Sequence, residues 1–160
     1  MKWLAIMSFS LSCTVSAHSL STAFMQLKPT DTGLSATLEL SINDLQQVLN
    51  WPAEQDVRWS DIQKNKLQIL SYLEQHLQFN SAAKTHCELQ TDPTTWSAIE
   101  KNHTYYLSLP LFSTCNAQQS SLRYQIFNEL HDHKLIVSWS DQQKVVTQQN
   151  PVLDLTQMAP

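Results

Sequence analysis

Six histidines and three cysteines are the side chains in this sequence best suited to holding a metal or closing a covalent bridge. His131 and His133 stand at a spacing that, on a strand, puts both rings on one face. A third histidine, His18, follows Val15-Ser16-Ala17, small residues of the kind that precede a leader cleavage point. Cleavage there frees the His18 α-amine, and amine plus imidazole form a chelate that needs one further imidazole to hold Cu or Ni. The competing reading, which is favoured, makes His131 and His133 polar residues of a hairpin turn beside Asp132 and Lys134. Cys13 lies within the leader, so Cys87 and Cys115 remain as a pair in an oxidising compartment. A disulfide between them stabilises by about 3 to 4 kcal/mol through loop closure. A metal site built from His86, Cys87, His103 and Cys115 is the rival, but no Cys-x-x-Cys or His-x-x-x-His spacing supports it.

Carboxylates offer one more pattern. A twelve-residue calcium-type loop can be laid over Asn50 to Asp61, with Val57 at the apolar position and oxygen ligands from Asn50, Glu54, Asp56 and Asp61. Pro52, Gln55 and Arg58 occupy places that want a ligand, a glycine and a ligand, and the last acid is Asp rather than a bidentate Glu. The loop is degenerate and is not expected to bind. Catalysis finds little support. With Gly33 as the single glycine, neither a Gly-x-Ser-x-Gly elbow nor a phosphate-cradling glycine loop can be built. Glu39, Glu74, Glu88, Glu100 and Glu129 are scattered over polar positions without pairing. The chain reads as a non-enzyme, with a small envelope hydrolase as the least favoured alternative. Asn102-His103-Thr104 is a chance match to a glycosylation sequon. Trp51, Trp59, Trp96 and Trp139 are assigned to the core by default, an exposed partner or carbohydrate surface being the alternative.

The elements that must position these residues follow from patterning. The 160-residue chain has a net charge of −4 and no basic run, which argues against nucleic acid. Met1 to Ala17 opens with Lys2, continues through an apolar stretch interrupted by serines, and reads as a signal peptide. It is too short for a membrane span, and no later segment is long enough. Residues 18–160 then form a single β-rich domain, periplasmic or secreted, with a helical insert at about 43–78. Leu34, Ala36, Leu38, Leu40 and Ile42 alternate with polar residues, which predicts a strand. Leu20 to Leu27 should pair with it as a hairpin, with Gly33 supplying a positive φ in the turn over Lys28 to Gly33.

Ile42, Leu45, Val48 and Leu49 change to helical spacing, with Asn43 or Ser41 as cap. Ser60-Asp61-Ile62-Gln63 reads as a capping box that opens a second helix running to about Gln78. Strands are predicted at Cys87 to Gln90, Trp96 to Glu100, Tyr105 to Phe112, Ser121 to Phe127, Leu135 to Trp139 and Lys144 to Gln148, with Pro110 at an edge or bulge. The tail from Asn150 is expected to have a mobile end. The class is α+β: an antiparallel, sandwich-like β domain with an inserted, EF-hand-like helix-loop-helix.

Four stretches together resemble one family. They are Ala17-His18-Ser19-Leu20-Ser21-Thr22-Ala23, Val57-Arg58-Trp59-Ser60-Asp61, the two cysteines, and Leu122-Arg123-Tyr124-Gln125-Ile126-Phe127 followed by His131. They are similar to the small exported proteins and extracytoplasmic N-terminal regions associated with HupE/UreJ-type membrane proteins of Gram-negative bacteria. The chain departs from that pattern at the loop, which lacks the acidic, glycine-containing core, and at Asn128 to His133. The resemblance implies an accessory role beside an envelope membrane protein, in nickel or cobalt handling, and assigns no reaction. A Cu- or Ni-binding module using His18 with His131 or His133 is the alternative.

Overall fold

The computed structural model describes residues 21–54 and 56–158. The leader, the export junction and His18 lie outside them. The chain opens with β1 (Thr22–Thr30) and β2 (Gly33–Ser41), an antiparallel pair in register from Phe24↔Glu39 to Thr30↔Gly33. The predicted alternation holds, with Leu34, Ala36, Leu38 and Leu40 all buried. The turn is tighter than expected, only Asp31 and Thr32, because Pro29 can stay in the strand. It lies past Leu27↔Trp139, the last pair on its other side, where a missing N–H breaks no ladder. Gly33 has the expected positive φ but lies at the start of β2 rather than inside the turn. It opens β2 at φ 159°, and its hydrogen side chain is needed because a Cβ there would stand 2.1 Å from the Ser113 carbonyl oxygen.

The helical insert has three parts, α1 (Ile42–Val48), α2 (Trp59–Lys64) and α3 (Lys66–His76). Of the two candidate caps for α1, Ser41 is used, its Oγ accepting from the Asp44 N–H at 3.3 Å. The expected second helix is divided at Asn65, whose Nδ2 donates to the Asp61 carbonyl at 2.9 Å. It ends at His76 rather than Gln78, and β3 (Leu77–Ser81) follows directly. Leu73 and Leu77 are four apart, so a helical period accounts for them. Leu77 and Phe79, both buried around the half-buried Gln78, satisfy a strand equally well.

The rest of the chain is β4 (His86–Cys87), β5 (Leu89–Gln90), β6 (Ser97–Lys101), β7 (Thr104–Ser113), β8 (Ser120–Tyr124), β9 (Lys134–Trp139), β10 (Gln142–Thr147) and β11 (Val152–Asp154). One sheet of seven strands runs β10-β9-β1-β2-β7-β5, with β6 also on β7. A second of four runs β11-β8-β3-β4. All pairings are antiparallel except β1 with β9. The result is mostly β, in open and mainly antiparallel sheets with few helices, an α+β arrangement. Pro110 pairs with Thr37 of β2. On its other side β7 is covered by β6 and β5 only above and below it, and the Thr91 hydroxyl donates to its carbonyl at 2.6 Å.

Side chains of both sheets and the helices belong to one core cluster, among them Leu38, Leu109, Phe79, Leu122, Leu45 and Leu73. The predicted strand to Phe127 stops at Tyr124. Ile126 and Phe127 are buried in a turn instead. The tail is docked through Met158: β11 pairs with β8, and Leu155 and Met158 are fully buried; its last two residues, of the end expected to be mobile, lie outside the described residues. Cys87 and Cys115 meet at disulfide distance, with Cα atoms 5.6 Å apart. The bridge ties β4 of the smaller sheet to the chain just beyond β7 of the larger. No helix among the described residues is long and apolar enough to cross a membrane.

Candidate functional site

The parallel register Thr22↔Lys134 places the residues just before β1 and β9, Ser21 and His133, side by side. His133 is only 3% exposed, and both its ring nitrogens are engaged. Nδ1 lies 2.5 Å from Ser21 Oγ and Nε2 lies 2.7 Å from the Tyr124 hydroxyl. Ser21 Oγ spends its one proton on Asp44 Oδ2, so it accepts from Nδ1, and Nε2 accepts from the Tyr124 hydroxyl, which burial keeps protonated by raising its pKa well above the ordinary value. The proton then sits on Nδ1 and is given to Ser21 Oγ, which donates in turn to Asp44 Oδ2 at 2.7 Å. Burial holds the imidazole at a pKa of about 4, neutral at physiological pH. Burial also raises the Asp44 carboxyl, against the lowering effect of the Ser21 and Ser41 hydroxyls. The Phe127 ring closes the site edge-on, 5.0 Å from the imidazole centroid.

This relay corrects the predicted histidine pair. His131 lies in a turn and is exposed, whereas His133 is buried, so the two share no face. A metal ion needs an imidazole lone pair, and at His133 that lone pair is taken by Tyr124. Among the described residues no group of three or more His, Cys, Asp or Glu converges on a point where an ion could sit. The cysteines of the rival metal set are joined to each other. His86 is exposed, and His103 lies at the tip between β6 and β7, 3.8 Å from Glu100.

The residues of the calcium-type loop do other work. Asp61 Oδ2 accepts from the Arg58 N–H at 3.0 Å, so the capping box of α2 opens at Arg58 rather than at the predicted Ser60. Its other oxygen lies 3.8 Å from Lys64. Asn50 takes a left-handed backbone, φ 54°, and turns its amide to the Val48 carbonyl at 3.5 Å. Glu54 and Asp56 are exposed. A second buried node holds the insert to the turn after β8. There the Tyr72 hydroxyl accepts from the Phe127 N–H at 2.8 Å and donates to Glu129 at 3.0 Å.

A cleft of about 620 Å³ lies between the helical insert and the β6–β7 end of the larger sheet, within the usual range for ligand sites. Ile42, Val57 and Ile62 supply apolar lining, and Asn43, Gln46, Asp56 and Arg58 supply polar groups. Trp59 and Tyr105, 42% and 59% exposed, both line it, and among the described residues they are the two aromatic members of the exposed large hydrophobics. The tryptophans therefore divide. Trp96 is buried with Nε1 donating to Thr91 at 2.9 Å, Trp139 is buried in the core, and Trp51 packs against the core with Nε1 on Gln68 at 2.9 Å. Trp59 is the exception to the core assignment. A smaller cleft of about 390 Å³ at the β1–β2 turn is lined by residues such as Asp31 and Asn116 and by no aromatic or cationic group.

Fold and site together describe a mostly β, α+β domain with an aromatic-rimmed cleft beneath its helical insert. No protein-family model matches the chain, and no curated protein matches it.

Proposed function

We propose that this chain is a non-enzymatic binding module that works outside the cytoplasm as an accessory to an envelope membrane protein of the HupE/UreJ type. In this reading the cleft between helical insert and sheet edge is its working surface, and the two sheets form a sandwich-like frame. The observation that carries it is the convergence on one cleft of Trp59 and Tyr105, the two exposed large aromatic side chains among the described residues. Large apolar rings left in water at one place mark a surface that another molecule covers. The paired cysteines support an oxidising compartment. A photo-crosslinking residue at position 59, with one at Val145 as control, tests the role in cells. An adduct with an integral membrane protein from position 59 alone is expected. Equal adducts from both positions, or none from 59, refute it.

Copper or nickel chelation by a mature N-terminal His18 is the second reading. It draws its further imidazole from the exposed His131. Calorimetric titration of the processed protein with Cu(II), with and without His131→Ala, tests it.

A further inference from the structure

β6 forms one wall of the cleft through Ala98, and it pairs on one side only. Its ladder runs from Ser97↔Ser108 to Lys101↔Thr104, and β7 is its single partner among the described strands. The connection to β7 is the two-residue turn Asn102-His103, with φ 48° and 62°, the geometry of a type I′ hairpin. In such a hairpin the closing pair, here Lys101 and Thr104, exchanges both backbone hydrogen bonds. Counting back, Ile99 and Ser97 also face β7, and Ala98 and Glu100 turn their N–H and C=O groups to the open side.

Exposed edges are usually guarded by a lysine or a proline. β6 has no proline, and its one lysine is folded back across the sheet. Lys101 pairs with Glu39 of β2, its Nζ 4.9 Å from the centroid of the Phe24 ring. By contrast β10, the other long edge, keeps Lys144 exposed.

We propose that β6 accepts an extended peptide segment of a partner protein as an added strand. The segment bonds to the backbone of Ala98 and Glu100 and seats one large apolar side chain between Trp59 and Tyr105. Donors and acceptors repeating every second residue match extended main chain and no other common ligand. The adjoining cleft, with Val57 and Ile62 for apolar contact and Asn43 at its rim, supplies side-chain selection. The proposal rests on the reading of the cleft as a binding surface and adds the chemistry of its occupant.

The test is selection from a random peptide library displayed on phage against the full, disulfide-bonded chain, followed by calorimetry with the enriched peptide. Trp59→Ala and Ala98→Pro should each weaken binding on the order of tenfold or more, as loss of a central anchor does. The proline removes an N–H that faces solvent. N-methylation of the peptide at alternate residues leaves the protein untouched. One register should abolish binding and the other should not. Failure to enrich any peptide, equal binding by Ala98→Pro, indifference to N-methylation, or binding of chitotriose in the cleft without peptide enrichment overturns the proposal. Peptide binding without a membrane-protein adduct at position 59 sinks the accessory role alone.

Discussion

Lowering the pH should loosen this fold through the buried imidazole of His133. In the unfolded chain it takes up a proton near 6.5, and in the folded chain only near 4. Between those values the unfolded state binds more protons, so stability is complete above about pH 6.5 and falls as pH approaches 4. At 1.36 kcal/mol per pH unit the loss is about 3 kcal/mol, with no discount for solvent because the ring is buried. Asp44 acts in the opposite sense. Its folded pKa is raised above 3.8, so the native state takes up that proton first, and acidification through that range returns part of the loss. The assay is urea unfolding from about pH 7.5 to about pH 4.5 on the native protein and on His133→Gln, which cannot be protonated. The native protein should lose about 2 to 3 kcal/mol across the range. The variant should be less stable at neutral pH and nearly flat. A flat native profile, or the same slope in the variant, refutes the reasoning.

Gly33→Ala should cost about 2 kcal/mol or more, because the new Cβ meets the backbone oxygen of Ser113 at 2.1 Å and the chain must shift. A thermal melt within a degree of the native one contradicts this. Leu155→Ala should cost about 2 to 5 kcal/mol, since the side chain is fully buried. Urea unfolding that shows no change means the tail does not dock. Reducing the Cys87–Cys115 bridge, which closes a separation of 28 residues, should lower stability by about 3 to 4 kcal/mol. Comparing unfolding midpoints with and without reductant checks it, and identical midpoints contradict it.

Where one face of an element is wet, its sequence shows it. β2 is legible because Leu34 to Leu40 alternate against Ser35, Thr37 and Glu39. The strands around Tyr106 to Leu111 and Leu135 to Trp139 are legible for the same reason. The cap of α1 is legible in part: Ser41 and Asn43 both stand at the change of period, and the bond from the Asp44 N–H selects Ser41. The boundary between α3 and β3 is not, because Leu73, Leu77 and Phe79 satisfy both periods until the far side of the sheet is known. β11 is hidden by its brevity, and it is ordered by pairing with β8 rather than by its own propensity. The relay is the least legible part. Ser21, Asp44, Tyr124 and His133 carry no shared motif: the parallel register of β1 and β9 brings Ser21 to His133, and α1 and β8 bring Asp44 and Tyr124. The exposure of Trp59 was equally invisible, since a ring at the first residue of a helix is compatible with either side until the packing of that helix is seen.

That same parallel pairing governs the order in which the molecule can be completed. β1 sits between β2 and β9, and Ser21 meets His133 across 112 positions of chain. A ribosome or translocation pore that releases the polypeptide from its amino end therefore delivers β1 and β2 long before the neighbour that finishes their sheet. Until then one flank of β1 lacks its strand partner, and an unpaired strand edge is a template on which another chain can pair.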